Sequence, residues 1–98
     1  MTNNIDDKAL DLLCEAILTL KTVEECRNFL EDACSLMELR TISQRMVVAK
    51  MLSEKSVYSK IIEETGASTA TISRVNKSLE YGAEGYRLVL SRLDSKVE

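Results

Sequence analysis

Residues 58–79 read YSKIIEETGASTATISRVNKSL, and this stretch predicts two short helices joined by a tight turn. Gly66 can adopt the left-handed backbone conformation that ends a helix, and Ser68 can cap the helix that follows. The apolar side chains spaced to pack together inside the bend are Ile61, Ile72 and Val75. Two helices joined in this way form a helix-turn-helix, in which only Ile62 occupies a position where a smaller residue is usual.

The bounds of these helices follow from their capping residues. Ser56 is expected to cap the first helix, residues 57–64. The second helix is expected over residues 69–79, and Gly82 follows its end. A last helix is predicted from about Ala83 to Leu93, with an apolar side made of Tyr86, Val89, Leu90 and Leu93.

Three further helices are predicted upstream of the bend. The first runs from about Ile5 to Leu20, and its apolar stripe is Ala9, Leu13, Ala16, Ile17 and Leu20. Thr22 with Glu25 has the spacing of a capping box, which opens a second helix. Ser35 with Glu38 is another such box and opens a helix of 18 residues to Ser53. The apolar stripe of that third helix is Leu39, Ile42, Met46, Ala49 and Leu52.

The whole chain therefore reads as all-α. Proline is absent, and the three glycines, at positions 66, 82 and 85, leave no flexible linker that would divide the chain. With 98 residues, 45% of them hydrophobic and 30% charged, the composition is that of one soluble globular domain, residues 1–98. A domain of this size gains from a partner subunit.

Several classes of function are disfavoured by composition. The chain has no histidine, and its three cysteines form no CxxC pair, so we expect no metal site and no catalytic residues that require imidazole. The cysteines, Cys14, Cys26 and Cys34, lie in apolar helical surroundings and are interpreted as buried thiols. An odd thiol count without a signal peptide favours the cytoplasm, and no stretch is apolar enough to span a membrane.

Charge is unevenly distributed along the chain. Residues 1–39 carry three basic and nine acidic side chains, a net −6. Residues 40–80 carry seven basic and four acidic side chains, a net +3, although the whole chain is at −3. An anionic partner is therefore expected at the middle of the chain.

The second helix of the bend has a face suited to DNA. If Ile72, Val75 and Leu79 point inward, the opposite face carries Ala70, Ser73, Arg74 and Lys77. Small side chains let the helix approach base edges, while its N-terminus and its basic residues can hold phosphates. The residues predicted to contact DNA are Ser68, Thr69, Ala70, Thr71, Ser73, Arg74 and Lys77. The alternative is a helical hairpin whose exposed face is polar without binding DNA.

The segment from Glu64 to Arg74, ETGASTATISR, followed by Ser78-Leu79, resembles the DNA-binding region of the Trp repressor family. The ending Tyr81-Gly82 resembles the YerC/YecD-like branch of that family. The resemblance covers about residues 10 to 93 and implies six helices in an intertwined homodimer, with a helix-turn-helix projecting from each side. The Trp repressor is itself a standard example of this docking mode.

Tryptophan binding is not expected to carry over from the family. Arg74 and Ser78 match positions of the tryptophan-binding members, but the glycine that makes room for the indole corresponds to Val75. The second arginine expected on the third helix falls at Gln44, and a match to Arg45 requires a shift of one residue. We therefore expect no cofactor and no regulation by L-tryptophan.

The sequence thus predicts a homodimeric transcriptional regulator that acts as a repressor. Each subunit is expected to insert residues 69–79 into one of two successive major grooves of double-stranded DNA at a palindromic operator. The alternative function is a helical dimer that binds another protein and not DNA. Neither function requires a catalysed reaction.

Overall fold

The structure is a computed structural model that describes the backbone of residues 6–97 and the side chains of residues 6–95. Within this range all regular structure is helical, as predicted. The helices are α1 (Asp7–Leu18), α2 (Val23–Ala33), α3 (Leu36–Ser53), α4 (Tyr58–Thr65), α5 (Thr69–Tyr81) and α6 (Gly85–Val97). The chain divides into two compact units, Met1–Leu39 and Arg40–Glu98.

The first helices begin at polar caps. The carboxylate of Asp6 accepts from the amide of Lys8 and opens α1; the predicted start near Ile5 lies outside the described residues. At α2 the Thr22 hydroxyl accepts from the amide of Glu25 at 3.0 Å, which confirms the predicted cap. The Glu25 carboxylate accepts from Lys21, one residue earlier than in a standard capping box.

Both reciprocal hydrogen bonds of the predicted capping box form at the start of α3. The Ser35 hydroxyl accepts from the Glu38 amide at 3.1 Å, and the Glu38 carboxylate accepts from the Ser35 amide at 2.7 Å. The predicted helix of 18 residues, Leu36–Ser53, is confirmed. Hydrogen bonds from the Ser35 backbone and then from its side chain lower the pKa of the exposed Glu38 carboxyl below its ordinary value.

The buried face of α3 differs from the predicted stripe. The residues of α3 that are buried are Val48, Ala49 and Met51. Of the predicted stripe only Ala49 is buried, and Ile42 is exposed. Met46 and Leu52 of the stripe are partly buried and pack against the core, so three of its five residues contact the core. Because α3 is apolar on more than one side, hydrophobic spacing alone does not determine how deeply each residue is buried.

The expected cap of α4 is also corrected. Lys55 has a left-handed φ of 67°, and its amide donates to the carbonyl of Leu52, while the Ser56 amide donates to Met51. These two bonds form a Schellman motif at the end of α3, with a lysine where glycine is usual. Ser56 therefore belongs to the end of α3. The N-cap of α4 is Val57, which makes no side-chain hydrogen bond, and the helix begins at Tyr58.

The core of the second unit lies around the predicted bend. Ile61, Ile72, Val75 and Leu79 are all buried, as predicted, and so is Leu90 of α6. Val89 and Leu93, predicted for the apolar side of α6, remain partly exposed to solvent. The central apolar cluster holds α4, α5 and α6 against the second half of α3 and so supports the helix-turn-helix from behind.

The connection between α5 and α6 depends on Gly82. Its φ is −83°, so it does not end α5 in a left-handed conformation. Its amide donates to the Ser78 carbonyl at 3.0 Å, and a Cβ at this position would lie 2.4 Å from that oxygen. Glycine is therefore required there by a close backbone approach to the last turn of α5.

Candidate nucleic-acid interface

The turn between α4 and α5 is closed by hydrogen bonds from its own residues. Gly66 has a φ of 72°, and its amide donates to the Ile62 carbonyl at 2.9 Å, which confirms its predicted role. The Thr65 hydroxyl donates to the Ile61 carbonyl at 2.7 Å and accepts from the Ala67 amide at 3.1 Å. This bonding closes the turn from which α5 begins. Ile62 is partly exposed, so its size does not obstruct the bend.

Ser68 caps the N-terminus of α5. Its hydroxyl oxygen accepts from the Thr71 amide at 3.1 Å, as predicted, and lies 3.1 Å from the Thr71 hydroxyl. The first turn of a helix has four amides without intrahelical partners, and this cap satisfies one of them. The remaining amides give the start of α5 a partial positive charge that is suited to a phosphate.

Six of the seven residues predicted to contact DNA are exposed in the structure. These are Ser68, Thr69, Ala70, Ser73, Arg74 and Lys77. Thr71 is half-buried, with its amide and its hydroxyl both engaged at the cap, so it is less accessible than predicted. Opposite the exposed face, Ile72, Val75 and Leu79 are buried. We call the exposed set the α5 face.

The charge of the α5 face differs from that of the preceding helix. Arg74 and Lys77 lie one turn apart on the same side of α5. On α4, Lys60 lies 4.0 Å from the Glu64 carboxylate in an exposed pair, which reduces its positive potential. A phosphate backbone would therefore be attracted more strongly by α5 than by α4.

Val75 is only 3% exposed and belongs to the apolar core. In the resemblance described above, this position matches the glycine that makes room for the indole. On α3 it is Gln44 that reaches the helix-turn-helix, since its side-chain amide donates to the Thr65 carbonyl at 3.1 Å. Arg45 instead lines a cleft of about 460 Å³ with Tyr86 of α6. A smaller cleft beside Gln44 is lined by Glu64 and by no cation.

One contact at this site was missed by the sequence reasoning. The guanidinium Nε of Arg87, on α6, donates to the Leu79 carbonyl in the last turn of α5 at 2.7 Å. No spacing rule points to it, because the partner is a backbone carbonyl on another helix.

The cysteines are less buried than predicted. Cys14 is exposed, while Cys26 and Cys34 are half-buried. All three lie in the unit Met1–Leu39, where neither α1 nor α2 has a buried residue.

Among the described residues no group of three Cys, Asp or Glu is arranged to hold a metal ion. Within the same range, no helix has the length and apolarity needed to cross a membrane.

Comparison with known proteins agrees with this geometry. The family model of the Trp repressor protein matches residues 8–94. YerC of Bacillus subtilis, an uncharacterised protein, is 50% identical over 86 residues, which are 88% of this chain and 83% of YerC.

Two solved structures are also similar. A candidate Trp repressor from Staphylococcus aureus superposes with a TM-score of 0.86 at 47% identity, covering 91% of this chain and 89% of its own. A TrpR-like protein from Eubacterium eligens gives a TM-score of 0.88 at 50% identity, covering 95% and 96%.

Proposed function

The chain belongs to the Trp repressor family, and from that premise we propose that it is a sequence-specific transcriptional repressor that binds double-stranded DNA as a homodimer. Members of this family are DNA-binding regulators and not enzymes. We infer that residues 1–98 act as one domain in the cytoplasm. The observation that carries the proposal is the α5 face, which is exposed and basic on a helix whose opposite side is fully packed.

The roles of the α5 face follow from the positions of its residues along the helix. The N-terminus of α5, with Ser68 and Thr69, would hold a phosphate through backbone amides and hydroxyls. Ala70 and Ser73 are small and would let the helix approach base edges in the major groove. Arg74 and Lys77 would supply the positive charge that displaces counterions from the duplex.

A homodimer is supported by apolar surface that one chain leaves uncovered. On α1, Leu12 is 67% exposed and Leu18 is 82% exposed. At the start of α3, Leu36 and Met37 are exposed as well. Apolar patches of this kind on helices mark interfaces, and burying them contributes about 25 cal/mol per Å². A two-fold dimer would present two α5 helices and therefore recognise a palindromic operator.

L-tryptophan is not proposed as a ligand of this protein. Val75 is buried at the position where the resemblance places the glycine that makes room for the indole, and the α3 side chain that donates to the helix-turn-helix is the amide of Gln44. The side chain of Val75 itself completes the apolar core behind α5, so DNA binding is proposed to be constitutive.

The proposal is tested by DNA binding across a salt series. Fluorescence anisotropy with a mixed-sequence duplex between about 50 and 300 mM salt should give an affinity that falls steeply as salt rises, because neutralised phosphates release counterions. The double variant Arg74→Ala/Lys77→Ala should weaken binding and flatten the slope. The matched control is Lys8→Ala/Lys21→Ala, which removes the same charge from α1 and from the loop after it and should have a smaller effect.

The result that would contradict the proposal is absent or salt-independent DNA binding by the folded wild-type protein. That result would favour the alternative function, a helical dimer that binds another protein and not DNA.

A further inference from the structure

Two side chains outside the helix-turn-helix donate hydrogen bonds to the ends of its helices. Gln44 of α3 donates from Nε2 to the carbonyl of Thr65, the last residue of α4, at 3.1 Å. Arg87 of α6 donates from Nε to the carbonyl of Leu79, in the last turn of α5, at 2.7 Å. We propose, resting on the proposed function, that Gln44 and Arg87 are positioning residues that fix the orientation of α5 for DNA.

Both bonds use carbonyls that the helices cannot satisfy themselves. The last four carbonyls of an α-helix have no intrahelical partner. In α4 and in α5 a glycine amide takes one of these carbonyls, and the outside side chain takes another. The guanidinium of Arg87 also places a positive charge at the negative end of the α5 dipole, which strengthens its bond.

The two bonds restrain opposite ends of the recognition helix. Thr65 lies three residues before Ser68, the cap of α5, so Gln44 restrains the turn from which α5 begins. Arg87 restrains the other end, about 16 Å away at 1.5 Å per residue. We call the pair of bonds the α5 clamp.

The α5 clamp limits tilting of α5, which the apolar core does not. Ile72 and Val75 attach the middle of α5 to the core by burial, and burial is a non-directional interaction that tolerates small tilts. Hydrogen bonds weaken steeply when their angle changes, so a bond at each end limits tilting of the helix. Base recognition in the major groove depends on such tilts, since side chains must reach base edges at hydrogen-bond distance.

The test compares variants that place a methyl group at the position of the donor nitrogen. These are Gln44→Met and Arg87→Met. Each should lower DNA affinity by up to about tenfold relative to its control, because α5 then spends part of its time outside the binding-competent orientation and one hydrogen bond limits the size of that shift. The control for Arg87→Met is Arg92→Met, which removes the same charge from an exposed position of α6. The control for Gln44→Met is Ser43→Ala at the neighbouring exposed position.

Three further results distinguish a loss of positioning from a loss of charge or of stability. The slope of log affinity against log salt should equal that of each control, because no phosphate contact is lost. Arg87→Lys, which retains a donor, should recover most of the affinity. Amide hydrogen exchange of the free protein should show lower protection in α5 for both donor-loss variants, and unchanged protection for both controls.

The proposal is overturned if the donor-loss variants bind DNA as tightly as their controls at a temperature where all are folded. Failure of the proposed function looks different, because the wild-type protein would then lack salt-dependent DNA binding. In that case lower exchange protection in α5 would still support the clamp, and unchanged protection would overturn it.

Discussion

Lys77 is the residue of α5 whose position most clearly favours a contact with phosphate over a contact with a base. It lies eight residues after Thr69, about 12 Å along the helix at 1.5 Å per residue. That distance exceeds the depth of the major groove, which is about 8.5 Å. A helix that enters the groove by its N-terminus therefore places Lys77 beside the sugar-phosphate backbone.

Lys77→Ala should weaken binding to all DNA sequences by a similar factor and lower the salt slope by about one contact per subunit. Substitutions at Ala70 or Ser73 should instead change the preferred sequence in a randomised-site selection. Lys21→Ala, in the loop before α2, is the charge-matched control and should leave the slope unchanged. An unaltered preference in both the Ala70 and the Ser73 variants would mean that α5 enters DNA by another face.

Val75 is the residue that determines the expected response to tryptophan. Calorimetry with millimolar L-tryptophan should give no saturable heat, and DNA affinity should be equal with and without the amino acid. An indole ring would have to displace a side chain of the packed core, and overpacking costs about 1 to 3 kcal/mol.

Val75→Gly is the variant in which a tryptophan response could return, and Val75→Ala controls for loss of packing alone. Saturable heat together with tighter DNA binding in the wild-type protein would contradict the expectation.

At the scale of single helices, the start of α3 depends on the reciprocal bonds between Ser35 and Glu38. The folded-state pKa of Glu38 lies below its ordinary value of 4.5 because the carboxylate accepts bonds from Ser35. A carboxyl with a depressed folded-state pKa stabilises the folded state above its unfolded pKa. That contribution is lost as pH falls through the folded pKa.

Glu38→Gln should therefore lower the melting temperature most at neutral pH, and the difference from wild type should shrink as pH falls below about 4.5. Thermal unfolding followed by circular dichroism between pH 7 and pH 3 measures this difference. Glu31→Gln, an exposed acid on α2, controls for the general change in charge. A difference between wild type and Glu38→Gln that is constant over this range would show that the carboxylate does not stabilise α3.

At the scale of the whole molecule, we expect an obligate dimer held together through the exposed apolar residues of α1 and α3. Sedimentation equilibrium at micromolar protein should detect a dimer and no well-folded monomer. Leu18→Glu, at a side chain that is 82% exposed in the single chain, should raise the dimer dissociation constant by at least about tenfold.

Asn28→Glu adds the same charge at an exposed position of α2 and serves as the control. A folded monomer in the wild-type protein would exclude the dimer. Equal dissociation constants for the two variants would exclude Leu18 from the interface.

The sequence by itself determined the helices, most of their caps and the helix-turn-helix. The predicted boxes at Thr22 and Ser35, the cap at Ser68 and the left-handed Gly66 join residues no more than four positions apart. Such interactions depend on local backbone geometry, which residue type and spacing specify directly. Helical periodicity likewise predicted which residues of α5 are exposed, and among them only Thr71 is half-buried.

Tertiary structure alone decided which side of α3 is buried, how far the cysteines are covered and what holds α5 in place. Gln44 and Thr65 are 21 residues apart, and the acceptors of Gln44 and Arg87 are backbone carbonyls, which every residue possesses. Sequence pattern therefore cannot identify these partners. Which side of an apolar helix is buried likewise depends on where other helices pack, because burial is non-directional and satisfied by any apolar neighbour.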